Sequence, residues 1–161
     1  MTSGDDDHPQ HPEATDHTEV FGPIDPGALR TIRDLFVELE PLVETATLDD
    51  PLNPQTLTVE LADGIRSAST ARIEIRWSLT GNYAAHYTDE QNQNYRFDCH
   101  PKPDAPQRHF HPPPDAPSHS VEPSCITVSE VALVTRAIIQ RWRYAYTNDT
   151  FEGINEAENP P

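Results

Sequence analysis

A chain of 161 residues with 27 Asp and Glu against 11 Lys and Arg carries a formal net charge of -16 at pH 7. With 35% hydrophobic and 7% aromatic residues it has material for one small core, which argues against two independent domains. No apolar run approaches about 20 residues, Met1 to Asp7 are acidic where an export signal is basic, and Cys99 and Cys125 are too few for a secreted disulfide framework, so the chain is expected to be soluble and cytoplasmic.

Residues 1–23 carry Asp5, Asp6, Asp7 and several prolines with almost no apolar content, and are read as a disordered acidic tail whose His8, His11 and His17 lack a preformed geometry for a metal. A single domain is expected over residues 24–147, with an acidic tail over 148–161. Asp25 before Pro26 is a helix start, and Leu29, Ile32, Leu35, Phe36 and Leu39 recur at helical spacing, predicting a helix from about Pro26 to Glu40. Pro41 and the run from Asp49 to Pro54 interrupt regular structure. Alternation then predicts four strands: Leu57 to Leu61; Ile73, Ile75, Trp77 and Leu79 inward with Arg72, Glu74, Arg76 and Ser78 outward, Arg72 and Arg76 being solvated; Tyr83 to Tyr87; and Tyr95 to Cys99.

Short polar turns join these strands, so the sheet is expected to be a four-stranded antiparallel meander. The proline-rich stretch 100–124 is read as a long loop, followed by an amphipathic helix from Thr127, where Thr127 and Glu130 have capping-box spacing, through Val131, Val134, Ile138, Trp142 and Ala145. The fold class is therefore α+β in the order α-β-β-β-β-loop-α. Trp77 and Trp142 are read as core aromatics. Beyond Thr147, Phe151 and Ile154 are the residues able to dock back.

The loop holds a short repeat: His100 to Pro106 reads HPKPDAP and His111 to Pro117 reads HPPPDAP. Around it stand His86, His100, His109, His111 and His119, and imidazole suits both proton transfer near neutral pH and metal ligation. One chemistry is phosphodiester cleavage, with His109, His111 and His100 as candidate acid and base and Arg96 and Arg108 as phosphate partners. His109 and His111 share a side if that piece is extended, which leaves Phe110 to anchor it to the core. A second is metal binding by Cys99, His109, His111 and Cys125, for which zinc is the ion such ligands take; no other cofactor is implied. A third reading makes the histidines and prolines a stiff cover for the sheet edge.

The charge excess disfavours a compact state in dilute buffer and is screened in molar salt, where the Debye length is about 3 Å. Lys102 is the one lysine beside ten arginines, a balance that points to a halophilic archaeal cytoplasm; an ordinary acidic protein with acidic tails is the alternative.

The segments IEIRWSL (Ile73 to Leu79), NYAAHY (Asn82 to Tyr87), YRFDCHPKPDAP (Tyr95 to Pro106) and HFHPPPDAP (His109 to Pro117), with the following helix, resemble the TumE-type toxins of prokaryotic toxin–antitoxin modules in a haloarchaeal form, over about residues 72–142. This sequence has a longer N-terminal extension, more prolines and fewer adjacent histidines than the family pattern. The resemblance implies a growth-inhibiting component of a type II module neutralised by an antitoxin protein, with RNA as candidate substrate. A non-catalytic protein-binding or metal-binding domain stands as the competing reading, and oligomeric state is not legible.

Overall fold

The computed structural model describes residues 21–157. The tail expected at residues 1–23, with its three histidines, lies almost wholly outside this range, as do residues 158–161. Two helices and one seven-stranded antiparallel sheet make up the described residues, in the order α1 (Pro26–Leu39), β1 (Val43–Leu48), β2 (Leu57–Leu61), β3 (Ala71–Trp77), β4 (Tyr83–Asp89), β5 (Asn94–Cys99), β6 (Arg108–His111), β7 (Glu122–Pro123) and α2 (Val131–Asn148). Each strand pairs with the next in sequence.

The expected α+β class holds, but the sheet has seven strands where four were expected. β1 escaped notice because an edge strand with an alternating half-exposed pattern needs few apolar residues; Val43, Ala46 and Leu48 are its only apolar positions on the core side. β6 and β7 lie inside the stretch read as loop, where the prolines conceal a four-residue strand, Arg-His-Phe-His, that carries two histidines. β7 is just Glu122 and Pro123, at the sheet margin where proline is tolerated.

Helix α1 forms as its sequence dictates: the Asp25 carboxylate accepts from the Ala28 amide at 3.1 Å, Pro26 sits in the first turn, and Ala28, Leu29, Ile32 and Phe36 are buried while Leu39 is exposed. Helix α2 begins four residues later than expected. Its N-cap is Glu130 with no side-chain cap bond, so the Thr127–Glu130 spacing does not form a capping box. Strand β3 ends at Trp77, because Ser78 turns the chain through a Ser78–Asn82 backbone bond of 2.8 Å; Leu79, expected inward, is 64% exposed.

Alternation gives the sheet two unlike faces. Leu57, Val59, Leu61, Ile73, Ile75, Trp77, Tyr83, Ala85, Tyr87, Tyr95, Phe97 and Phe110 join one buried cluster with Leu29, Ile32 and Phe36 of α1 and Val134, Ile138, Trp142 and Ala145 of α2. Beyond α2, Ile154 is buried and Phe151 makes edge contacts with Tyr87 and Tyr95 at 6.0 and 6.3 Å between centroids. The opposite face carries polar side chains, and the site is built there.

One ion pair ties the helices together. Glu40, 2% exposed just past α1, receives two hydrogen bonds from the Arg143 guanidinium of α2, one of them at 3.0 Å from Nε, and a third from the Leu42 amide at 3.0 Å. Arg143→Met should leave that carboxylate without its charged donor and lower stability by about 1.5–3 kcal/mol, read as a shift in the denaturant midpoint at unchanged m-value.

Candidate active site on the polar face of the sheet

Strand register assembles the site. On the polar face Arg76 of β3 lies opposite Ala84 of β4, Ala84 opposite Asp98 of β5, and Asp98 opposite His109 of β6; one step along, Arg96 of β5 lies opposite His111 of β6. Two dipeptide-spaced pairs, Arg96 with Asp98 and His109 with His111, thus meet across one strand boundary. Ala84, the small residue in the row, leaves space above it. That space is a cleft of about 260 Å³ lined by Phe21, Arg76, Ala84, Arg96, Asp98, His100 and the Pro101–Lys102–Pro103 turn.

Asp98, 1% exposed, is the hub. Its Oδ2 accepts from Arg96 Nε at 2.8 Å and lies 3.0 Å from His111 Nε2, 3.3 Å from His100 Nε2 and 3.5 Å from His109 Nε2. The three rings form a T-shaped row, with centroids 4.8 Å apart for His100 and His109 and 5.0 Å for His109 and His111. Burial pushes the Asp98 carboxyl up, but the neighbouring His100, His109 and His111 rings and the Arg96 charge outweigh it and hold the group well below the usual carboxylate range. The contact with Asp98 in turn raises the His100 imidazole above its ordinary value, against the opposing effect of burial.

Main-chain carbonyls fix the rings. His100 Nδ1 donates to Pro101 O at 3.0 Å, His109 Nδ1 to Pro106 O at 3.0 Å and Gln107 O at 3.2 Å, and His111 Nδ1 to Pro117 O at 2.9 Å. A carbonyl only accepts, so each Nδ1 carries the proton and each Nε2 faces Asp98. Here the repeat acquires a meaning. The first histidine of one copy, His100, follows the last residue of β5 and that of the other, His111, is the last residue of β6, while the last proline of each copy, Pro106 and Pro117, supplies the carbonyl that holds a buried ring.

Of the residues singled out in the sequence, His100, His109, His111 and Arg96 come together. His109 and His111, at 0% and 1% exposure, lie behind the cleft wall and not in it; His100 and Arg96 border the cleft. Arg108 is on the other face, where its Nη2 donates to Ser129 Oγ at 2.7 Å, so it is no phosphate partner for this site. The set Cys99, His109, His111 and Cys125 is divided by the sheet: Cys99 shares the core face with Phe97 and Phe110, and Cys125 packs against the same core. Both thiols are free, and burial pushes both up. His86 stands one strand away, bonded to Asn94 Oδ1 at 3.0 Å, and His119 is exposed.

Asp98, Arg76 and Phe21 were missed. Arg76, read as solvated, lies with its guanidinium 4.5 Å from the Phe21 ring centre, and Phe21, inside the stretch read as tail, is 7% exposed and roofs the cleft beside His100. The signal for Asp98 was present: Arg96, Asp98 and His100 alternate on one strand side.

The family model described as Toxin TumE matches residues 28–146, most of the chain. The chain belongs to this family. The match takes in all seven strands of the TumE-family chain, including the four residues of β6 and the complete row from Arg76 to His111. No curated protein sequence and no solved structure matches it. Among the described residues, no helix is long and apolar enough to cross a membrane.

Proposed function

We propose that this TumE-family chain is the toxin of a type II toxin–antitoxin module and that it cleaves RNA phosphodiesters in the cleft above Ala84. The observation that carries this reading is the placement of cations. In a chain of net charge -16 with only 11 Lys and Arg, Arg76, Arg96 and Lys102 line one cleft, where the sole acid among the described residues, Asp98, is buried and already paired. Such a lining favours a small dianion or a phosphodiester over a neutral ligand.

The cleavage step places the ribose 2′-oxygen on phosphorus and breaks the bond from phosphorus to the 5′-oxygen; the proton given up by the 2′-hydroxyl is matched by one gained at the 5′-oxygen. Arg96 stabilises the charge on the phosphoryl oxygens, Arg76 and Lys102 hold flanking phosphate, and His100 is the imidazole within reach of the bound group. The antitoxin is a protein partner that suppresses this activity, and the acidic surface suits a cytoplasm of molar salt, where counterion-driven affinity is weak and fixed contacts matter more.

The test is expression in a halophilic host with and without the product of the adjacent gene, beside an RNA-cleavage assay in molar KCl. Growth arrest relieved by the neighbour, with cleavage by the purified chain, is the expected result. Arg76→Ala and Lys102→Ala should each remove about 1.5–3 kcal/mol of charged hydrogen bonding and lower kcat/KM for RNA by about tenfold or more. Normal growth in both hosts removes the toxin reading in favour of a binding domain; arrest without RNA cleavage removes the nuclease.

A further inference from the structure

We propose that Asp98, His109 and His111 bind a divalent first-row transition-metal ion, through one carboxylate oxygen and the two Nε2 atoms. Three observations converge on it. The first is directional. Because the Nδ1 atoms of His109 and His111 donate to Pro106 O, Gln107 O and Pro117 O, a neutral ring turns a bare Nε2 lone pair toward a carboxylate oxygen. Lone pairs aimed at one another repel unless a proton or a metal cation stands between them, and His111 Nε2, which accepts from Arg96, holds no proton.

The second is the accounting of partners. Arg96 answers part of the demand, since its Nη2 donates to the single lone pair of His111 Nε2 at 3.0 Å and its Nε to Asp98 Oδ2, so an ion binds His111 by displacing that Nη2. It does not reach the rest: among the described residues, His109 Nε2 and Asp98 Oδ1 are buried polar atoms without a hydrogen-bond partner, and His109 is 0% exposed. Buried groups of this kind ordinarily find a partner, and an unmet one signals an ion or a functional demand.

The third is dimensional. Ligands about 2.1 Å from a common ion lie roughly 3.0–3.5 Å apart. The separations from Asp98 Oδ2 are 3.0 Å to His111 Nε2 and 3.5 Å to His109 Nε2, both within that range. The ring clamps are the outer-shell arrangement that ligating histidines require. Imidazole with carboxylate selects zinc, iron, cobalt, nickel or copper over calcium and magnesium, and three protein ligands leave positions open. Asp98 lines the cleft, so the site adjoins it. Polarisation of a phosphoryl oxygen by the ion rests on the nuclease reading; binding of the ion does not.

The test is titration of chelator-stripped full chain with Co²⁺ in molar KCl. One equivalent should bind with a visible ligand-field band and no thiolate-to-cobalt charge-transfer band, and the spectrum should persist in the Cys99→Ser, Cys125→Ser double variant. His109→Gln should weaken binding by more than the roughly 10–100-fold typical of losing an outer-shell partner. If that variant does not fold, the wild-type protein decides: two exchange-protected imidazole N–H resonances, hyperfine-shifted by cobalt, are expected. No ligand-field band with excess Co²⁺, a band lost in the cysteine variant, undiminished binding by folded His109→Gln, or unshifted ring protons overturns the proposal. Cobalt binding without RNA cleavage leaves the site standing and removes the nuclease; cleavage by stripped protein that takes up no cobalt does the reverse.

Discussion

Asp98→Ala is expected to lower the unfolding free energy by about 3–5 kcal/mol and, on the proposed nuclease reading, to abolish RNA cleavage as well. The stability loss follows from what remains. Arg96 loses the acceptor of its Nε, and His100, His109 and His111 lose the carboxylate they surround, the last two where the rings are closed to water. Removing one member of a buried charged set costs far more than the set contributes against an apolar replacement. Glu74→Ala gives the contrast. Its partner Arg72 lies at 3.1 Å, but the two side chains are 43% and 53% exposed, so that pair should contribute at most about 1 kcal/mol. Urea titrations of both variants in the same salt decide the matter; a loss for Asp98→Ala as small as that for Glu74→Ala would show that Asp98 does not organise the cluster.

Trp142→Ala should cost about 3–5 kcal/mol, the range for emptying a large aromatic site. Trp142 is fully buried on α2, with its ring centre 5.9 Å from Tyr87 of β4 and 5.2 Å from Tyr146. It is the side chain through which α2 grips the middle of the sheet, and Tyr87 in turn donates to Asp89 Oδ2 at 2.8 Å and accepts from the Ile65 amide at 3.1 Å. Trp142→Phe should cost under about 1.5 kcal/mol, because the indole N–H that it removes has no partner among the described residues. Thermal or chemical unfolding of the two variants separates packing volume from aromatic identity; equal losses would mean that the site does not relax around phenylalanine.

The elements with a strong period were legible in the sequence. Strands β2 to β5 and helix α1 announce themselves because each buries one side continuously under a helix layer, so the apolar residues must recur. β1, β6 and β7 sit toward the sheet margins, where burial is partial or local, and proline composition masks them further. Within the site the histidines were visible as a cluster, and the period-two spacing of His109 and His111 put both on one side, as the structure has them. The same spacing set Phe110 against the core, as it is; what it did not disclose is which neighbours on the adjoining strand share the histidines' face. Once Phe110 points into the core, strand alternation sends His109 and His111 toward Asp98 and sends Cys99 and Arg108 away, and this one choice separates the residues that share a site from those that do not. Phe21 and Arg76 belong to the cleft through contacts between distant parts of the chain, which no local pattern reveals.

The clamps on the two buried rings are peptide oxygens of Pro106, Gln107 and Pro117. A peptide oxygen is common to every amino acid, so point mutation at Gln107 cannot delete its acceptor, and exchange of either proline acts only through the path the chain takes. Deletion or insertion is another matter. Losing one residue between β5 and β6 slides the acceptors along relative to the rings they serve, so the two hairpin connections should tolerate varied spelling and resist any change of length.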